Sequence, residues 1–215
     1  MRRGRRHWRR RMNRRVTVRR VLQNHVAEAC GEGHAASIFA AVAEERIDRD
    51  DAGRIVRRYH VEGEQLEGEC TTWDADGWLA QRANFKTGKL DGELVQYDAN
   101  GDVTAVLRFV NGVLDGEATY FNRGRPQVKM IYARGVQDGP TILFGENEKP
   151  ISRAEYKAGK LDGTSSWFRP DGSLLRTAEY KEGMLDGDTI DYDERGRISE
   201  RTRYAANELV ERVKK

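Results

Sequence analysis

The chain has 215 residues, with 38 Lys+Arg against 35 Asp+Glu and a formal charge of +3. Eleven arginines and no acid fall in residues 1–20, so residues 21–215 hold 27 basic and 35 acidic side chains, a net of −8. At 38% hydrophobic the chain is too lean for a thick two-layer core, and no apolar run reaches the ~18 residues that cross a bilayer.

Residues 1–20 read as a basic tail whose like charges oppose independent folding. Arg2, Arg3, Arg5, Arg6, Arg9, Arg10 and Arg11 are the candidate phosphate- or lipid-binding residues. The tail admits three readings. It binds phosphates of nucleic acid or of anionic lipid, it folds back on the acidic remainder, or it precedes a true start at Met12. Only Trp8 is aromatic there, so base stacking is poorly served.

Residues 21–46 are expected to form a short helical cap. Val18, Val21, Leu22, Val26 and Ala29 share one helical stripe, Gly31-Glu-Gly33 breaks it, and His34–Arg46 resumes it with Ile38, Phe39, Ala41 and Val42. Such a cap would cover an open sheet edge. Ala35–Ala43 is apolar, but Glu28 and Glu32 interrupt the approach and Glu44-Glu45 follow, unlike a secretory signal. Two cysteines, Cys30 and Cys70, and no Asn-x-Ser/Thr sequon favour a reducing compartment, so a cytoplasmic location is expected.

Residues 47–215 are a repeat domain. The pentapeptide G-x-L-D-G recurs as GKLDG (88–92), GVLDG (112–116), GVQDG (135–139), GKLDG (159–163) and GMLDG (183–187), after a degraded GEQLEG (63–68). Its closing glycines, Gly68, Gly92, Gly116, Gly139, Gly163 and Gly187, are spaced by 24, 24, 23, 24 and 24. An aromatic stands three residues before the opening glycine (Phe85, Phe109, Tyr132, Tyr156, Tyr180), and another five after the closing one (Trp73, Tyr97, Phe121, Phe144, Phe168, Tyr192). A second turn follows most of the latter, as DADG (74–77), DANG (98–101), RPDG (169–172) and DERG (193–196).

Between turns the apolar residues alternate, as in Val103, Ala105, Leu107 and Phe109. Period two over 5–8 residues, bounded by Gly, Asp and Asn, marks short antiparallel strands. The fold class is therefore mainly β: an elongated single-layer antiparallel meander of tandem 23–24-residue hairpins, about a dozen strands, behind the helical cap. D-x-x-G is expected to turn one end of each hairpin and L-D-G to close the other. GENEKP (145–150) lacks its turn glycine and carries Pro150, so a distorted hairpin is expected there.

The unit Y-K-x-G-x-L-D-G-x-x-x-x-Y/F resembles the MORN-repeat-variant proteins of bacteria, the YwqK-type antitoxin family, over about residues 50–210. YKAGKLDG (156–163) and YKEGMLDG (180–187) match best, while YAANELVE (204–211) lacks glycine and fits a terminal cap. The resemblance implies a bacterial, cytoplasmic protein that binds a partner protein, a cognate toxin.

Enzymatic and metal chemistry find little support. Asp91, Asp115, Asp138, Asp162 and Asp186 precede glycines and read as turn formers, and the loop from Asp98 puts Phe109 where a calcium loop needs a bidentate Glu. His25, Cys30 and His34 lack zinc-type spacing and a fourth ligand. No phosphate loop, G-x-S-x-G elbow or H-E-x-x-H is present, so no catalytic residue, metal, cofactor or small-molecule substrate is assigned. Repeats make surfaces, and the candidate partner-binding residues are Trp73, Tyr97, Trp167, Phe168 and Tyr192. Trp167 precedes its ladder position by one and should face the side opposite to the ladder.

Two function classes follow. One is a non-enzymatic protein-binding scaffold, the antitoxin or immunity partner of a toxin. The other is a membrane-apposed scaffold that holds anionic lipid through the arginine tail while the sheet recruits partners.

Overall fold

The computed structural model describes residues 43–214. They form a single antiparallel sheet in which neighbours in sequence are neighbours in space. Its strands are β1 (Glu44–Arg49), β2 (Ile55–Glu62), β3 (Gln65–Trp73), β4 (Leu79–Lys86), β5 (Lys89–Tyr97), β6 (Val103–Val110), β7 (Val113–Asn122) and β8 (Arg125–Ala133). They continue as β9 (Val136–Phe144), β10 (Pro150–Lys157), β11 (Lys160–Leu161), β12 (Gly163–Phe168), β13 (Leu174–Lys181), β14 (Met184–Tyr192), β15 (Ile198–Ala205) and β16 (Glu208–Lys214). The sheet has sixteen strands where about a dozen are expected; β1 and β16 extend it, and a break at Asp162 divides one strand into β11 and β12. No helix occurs among the described residues. Glu44–Arg46 are strand, and the rest of the expected cap, with the tail at 1–20, lies outside the described residues.

Two kinds of turn alternate along the two edges. On one edge the connections are two residues long, and in all but Gly63-Glu64 both residues have positive φ, as at Thr87-Gly88 (48° and 79°) and Asn111-Gly112 (51° and 83°). That is the type I′ turn, whose twist suits a hairpin. On the other edge D-x-x-G-x makes a five-residue loop: Asp98 Oδ1 accepts the N–H of Asn100 and of Asp102, while Gly101 takes φ 85°. Asp50, Asp74 and Asp193 repeat this arrangement.

L-D-G is not a turn, which corrects the expectation from sequence. In β5, Asp91-Gly92-Glu93 lie opposite the single residue Asn84, so the motif is a three-against-one bulge in the strand after the turn. The bulge needs glycine for two reasons. Gly139 has φ 125°, and a Cβ there would stand 3.0 Å from the Cβ of Ile131. The aspartate does something separate. Asp91, Asp115, Asp138 and Asp162 each accept the first N–H of the next two-residue turn, at Asn111, Arg134, Ala158 and Glu182. Glu67 does the same for Thr87 in the degraded first copy, at 2.8 Å.

The repeat of 23 residues has a local cause. Where the other copies have a five-residue loop, β7 and β8 are joined by the two-residue turn Arg123-Gly124, and Phe121 pairs with Pro126. GENEKP does not distort. Its loop closes with the same pair of backbone bonds, Gly145 N–H to Lys149 O and Glu148 N–H to Gly145 O, and Glu148 accepts φ 59° in place of the missing glycine.

Burial is concentrated in small and aliphatic residues, and Tyr59, 5% exposed, is the one ring among the buried core of the described residues. Cys70, Ala83, Leu94, Leu107, Ala118 and Met130 pair in succession along the middle of the sheet, and Ala83 and Ala118 are fully buried. Flanking them on the same face run Phe85, Phe109, Tyr132, Tyr156 and Tyr180, each paired with Leu90, Leu114, Gln137, Leu161 or Leu185. We call this the leucine face. The opposite face carries Glu69, Glu93 and Glu117 and is called the glutamate face.

Candidate protein-binding face

Cross-strand register sorts the candidate residues. Trp73 and Thr71 share a face in β3, and Trp73 lies with Arg58, Thr71 and Arg82 around one depression on the glutamate face. Tyr97, Phe168 and Tyr192 hold the equivalent place, each the last residue of its strand, just past a bulge. These four rings therefore form one row, half-buried, along the edge with the longer loops. Trp167 points the other way and lies on the leucine face with Ala178 and Tyr180. The structure does not bring the five together: four line one face and Trp167 the other.

The row through Trp167 has a composition that sequence reasoning missed. Its members, each paired with the next, are Ala105, Tyr120, Val128, Leu143, Ser152, Trp167, Arg176 and Asp191. Tyr120 is 40% exposed and Leu143 39%. A stretch that is apolar except for Ser152 thus crosses β6–β12 and ends at an ion pair. Arg176 donates two parallel hydrogen bonds to Asp191, at 2.6 and 3.0 Å, which holds the guanidinium pKa above its usual value. The signal was available in the column one residue before the second aromatic. That column reads Thr72, Gln96, Tyr120, Leu143, Trp167 and Asp191, apolar in three successive copies.

Beside the ion pair the face sinks into a groove of about 560 Å³, walled by Trp167, Leu175, Tyr180, Leu185 and Tyr204. Leu175 is 42% exposed, and the buried Thr189 Oγ1, also in the wall, has no hydrogen-bond partner. An unmet buried hydroxyl costs free energy that a bound polar group would offset.

No group of three or more His, Cys, Asp or Glu side chains able to hold a metal occurs among the described residues. Cys70 is buried, and burial pushes its thiol pKa up, the character of a packing residue. No described helix is long and apolar enough to cross a membrane. The glycines Gly68, Gly92, Gly116, Gly139, Gly163 and Gly187 all have positive φ, from 79° to 125°, at their bulges. The arginines proposed for phosphate or lipid lie outside the described residues.

Residues 66–87 and 161–182 match the MORN repeat variant family. Both windows run from the leucine that follows one two-residue turn, Leu66 opposite Val61 and Leu161 opposite Tyr156, to the first residue of the next such turn, so each is one repeat in the same phase. A comparison with curated proteins returned no match. The MORN repeat is a binding repeat, not an enzyme family. The chain is a repeat protein whose units are similar to the MORN repeat variant.

Proposed function

We propose that this protein is a non-enzymatic scaffold that binds another protein through the leucine face, and that its partner is a toxin which it neutralises as an antitoxin or immunity protein. One observation carries the reading: the apolar row from Tyr120 to Trp167 ends in the Arg176–Asp191 pair and opens on an aromatic groove. An apolar centre with a charged rim is the composition of a protein interface, and Trp and Tyr are its commonest anchors. A continuous sheet also presents this surface already ordered, which lowers the entropy cost of association. The resemblance of the repeats to the YwqK type supplies the toxin.

The test is co-expression with the product of the adjoining gene. Full-length protein should co-purify with that product and relieve its toxicity, and the Tyr120→Ala/Trp167→Ala variant should lose at least tenfold in affinity at unchanged stability. A partner that binds the double variant as tightly as the parent would overturn the assignment of this face. An adjoining product that is harmless and does not bind would remove the antitoxin reading.

A further inference from the structure

The charge of the sheet is divided along its length. Residues 43–102, which hold β1–β5 and the loop after them, carry 8 basic and 15 acidic side chains, a net of −7. Residues 103–214 carry 18 of each, a net of zero. All the excess negative charge of the described residues therefore sits at the end nearest to the eleven arginines of residues 1–20.

The cations of this end are largely committed. Arg54 pairs with Asp50, Arg57 with Asp48 and Arg58 with Glu45, while Arg82 approaches Glu69 at 3.9 Å. Carboxylates remain in excess at exposed positions on the edge with the longer loops, where Asp51, Asp76 and Asp102 are open to solvent; on the opposite edge Glu64 meets Arg46 at 3.8 Å. A second observation points to a guanidinium ligand in particular. Trp78, at 52% the most exposed aromatic of the described residues, stands in the acidic turn Asp74–Trp78. An open indole among carboxylates offers arginine both stacking and charge pairing.

We propose that this acidic end is a docking surface for an arginine-rich segment, and that its occupant is residues 1–20 of the same chain. Reach permits it. Residues 21–42 span up to about 70 Å when extended, and β1 to β5 covers about 19 Å at the usual strand spacing. A tether of this length gives an effective concentration on the order of millimolar, so weak individual pairs suffice. The same contact lowers the self-repulsion of both segments. A basic partner arriving at this end would have to displace the tail.

The test is photo-cross-linking of the full-length protein with p-benzoylphenylalanine in place of Trp8. At low salt the cross-links should fall within one chain and on residues 43–102, and their yield should drop at least fivefold in roughly 0.5 M salt, where charges are screened beyond ~4 Å. The full-length Asp51→Lys/Asp76→Lys/Asp102→Lys variant should show a similar drop. Glu182→Lys/Glu194→Lys/Glu208→Lys, an equal charge change in the neutral half, should leave the yield unchanged. Cross-links that map to residues 103–214, that join two chains, or that ignore the first triple substitution would overturn the proposal. Absence of cross-links at low salt would do so equally.

Discussion

The carboxylate of Asp91 accepts the backbone N–H of Asn111 at 3.0 Å, although the two residues belong to successive hairpins. The next N–H, that of Gly112, reaches back to Leu90 O at 2.7 Å. A leucine carbonyl and an aspartate side chain of one repeat thus bind both turn amides of the following one. This explains why L-D recurs as a unit although neither residue lies in a turn of its own.

Removing such a staple should cost about 1 kcal/mol, the usual net worth of an intramolecular hydrogen bond, because these bonds lie exposed and solvent screens the carboxylate charge. Asp91→Ala and Asp162→Ala should each lower the denaturation midpoint accordingly. Asp186→Ala is the control: its turn is held instead by Asn207 Oδ1, which accepts the N–H of Leu185 at 2.8 Å, so this change should be nearly silent. Urea titration of the three variants decides it, and equal losses would refute the staple.

Two glycine classes should separate by substitution. At Gly139 an added methyl meets Ile131 at 3.0 Å with φ at 125°, so Gly139→Ala should cost about 3 kcal/mol. Gly101, at φ 85°, has nothing within 4 Å of the added Cβ, and Gly101→Ala should cost only about 1 kcal/mol. The reverse change, Glu148→Gly, relieves a positive φ at a loop of the same geometry and should stabilise by roughly 0.5–1 kcal/mol. Thermal melts of the three would order them.

Acid sensitivity should reside partly in Asp188. Hydrogen bonds from Arg203, at 2.8 Å, and from Arg201 hold its pKa at about 2, against 3.8 ordinarily. A depressed folded pKa means that this stabilisation is complete above about pH 4 and is lost as pH falls towards 2. Asp188→Asn should lower stability at neutral pH by on the order of 1 kcal/mol, with the difference from the parent shrinking across that window. Denaturant curves at pH 7, 4 and 2.5 test the sign; a gap that widens on acidification would be the wrong one.

Cys70 is 6% exposed and its thiol pKa is raised by burial, so it should resist alkylation at neutral pH in the folded protein. In a Cys30→Ser background, a disulfide reagent should titrate one thiol only after denaturant is added. Rapid stoichiometric reaction in native buffer would contradict the placement of Cys70 between Tyr59 and Ala83.

The repeats, their period and the strand polarity were legible because glycine, aspartate and rings recur at fixed offsets. What L-D-G does was not legible, since a bulge and a turn ask for the same residues, and only pairing with Asn84 distinguishes them. The source of burial was not legible for a related reason. Rings dominate a repeat by size, yet register places Ala83, Ala105, Ala118 and Ala178 where the sheet is best covered. Trp167 stood out in the sequence because it departs from its copies, whereas Tyr120 and Leu143 become visible only when the pairing threads them into one row.

The staples all point forward, from the aspartate of one hairpin to the turn of the next. A stretch of DNA encoding residues 92–115, duplicated in frame, would therefore find on either side the neighbours it already fits, and need no new junction. Repeat number in such a gene can drift by whole units through unequal recombination, and the reach of the protein with it. AANELVE (205–211) departs from this pattern: Val210 and Glu211 stand where the other copies have aspartate and glycine, so this unit lacks the carboxylate of the staple.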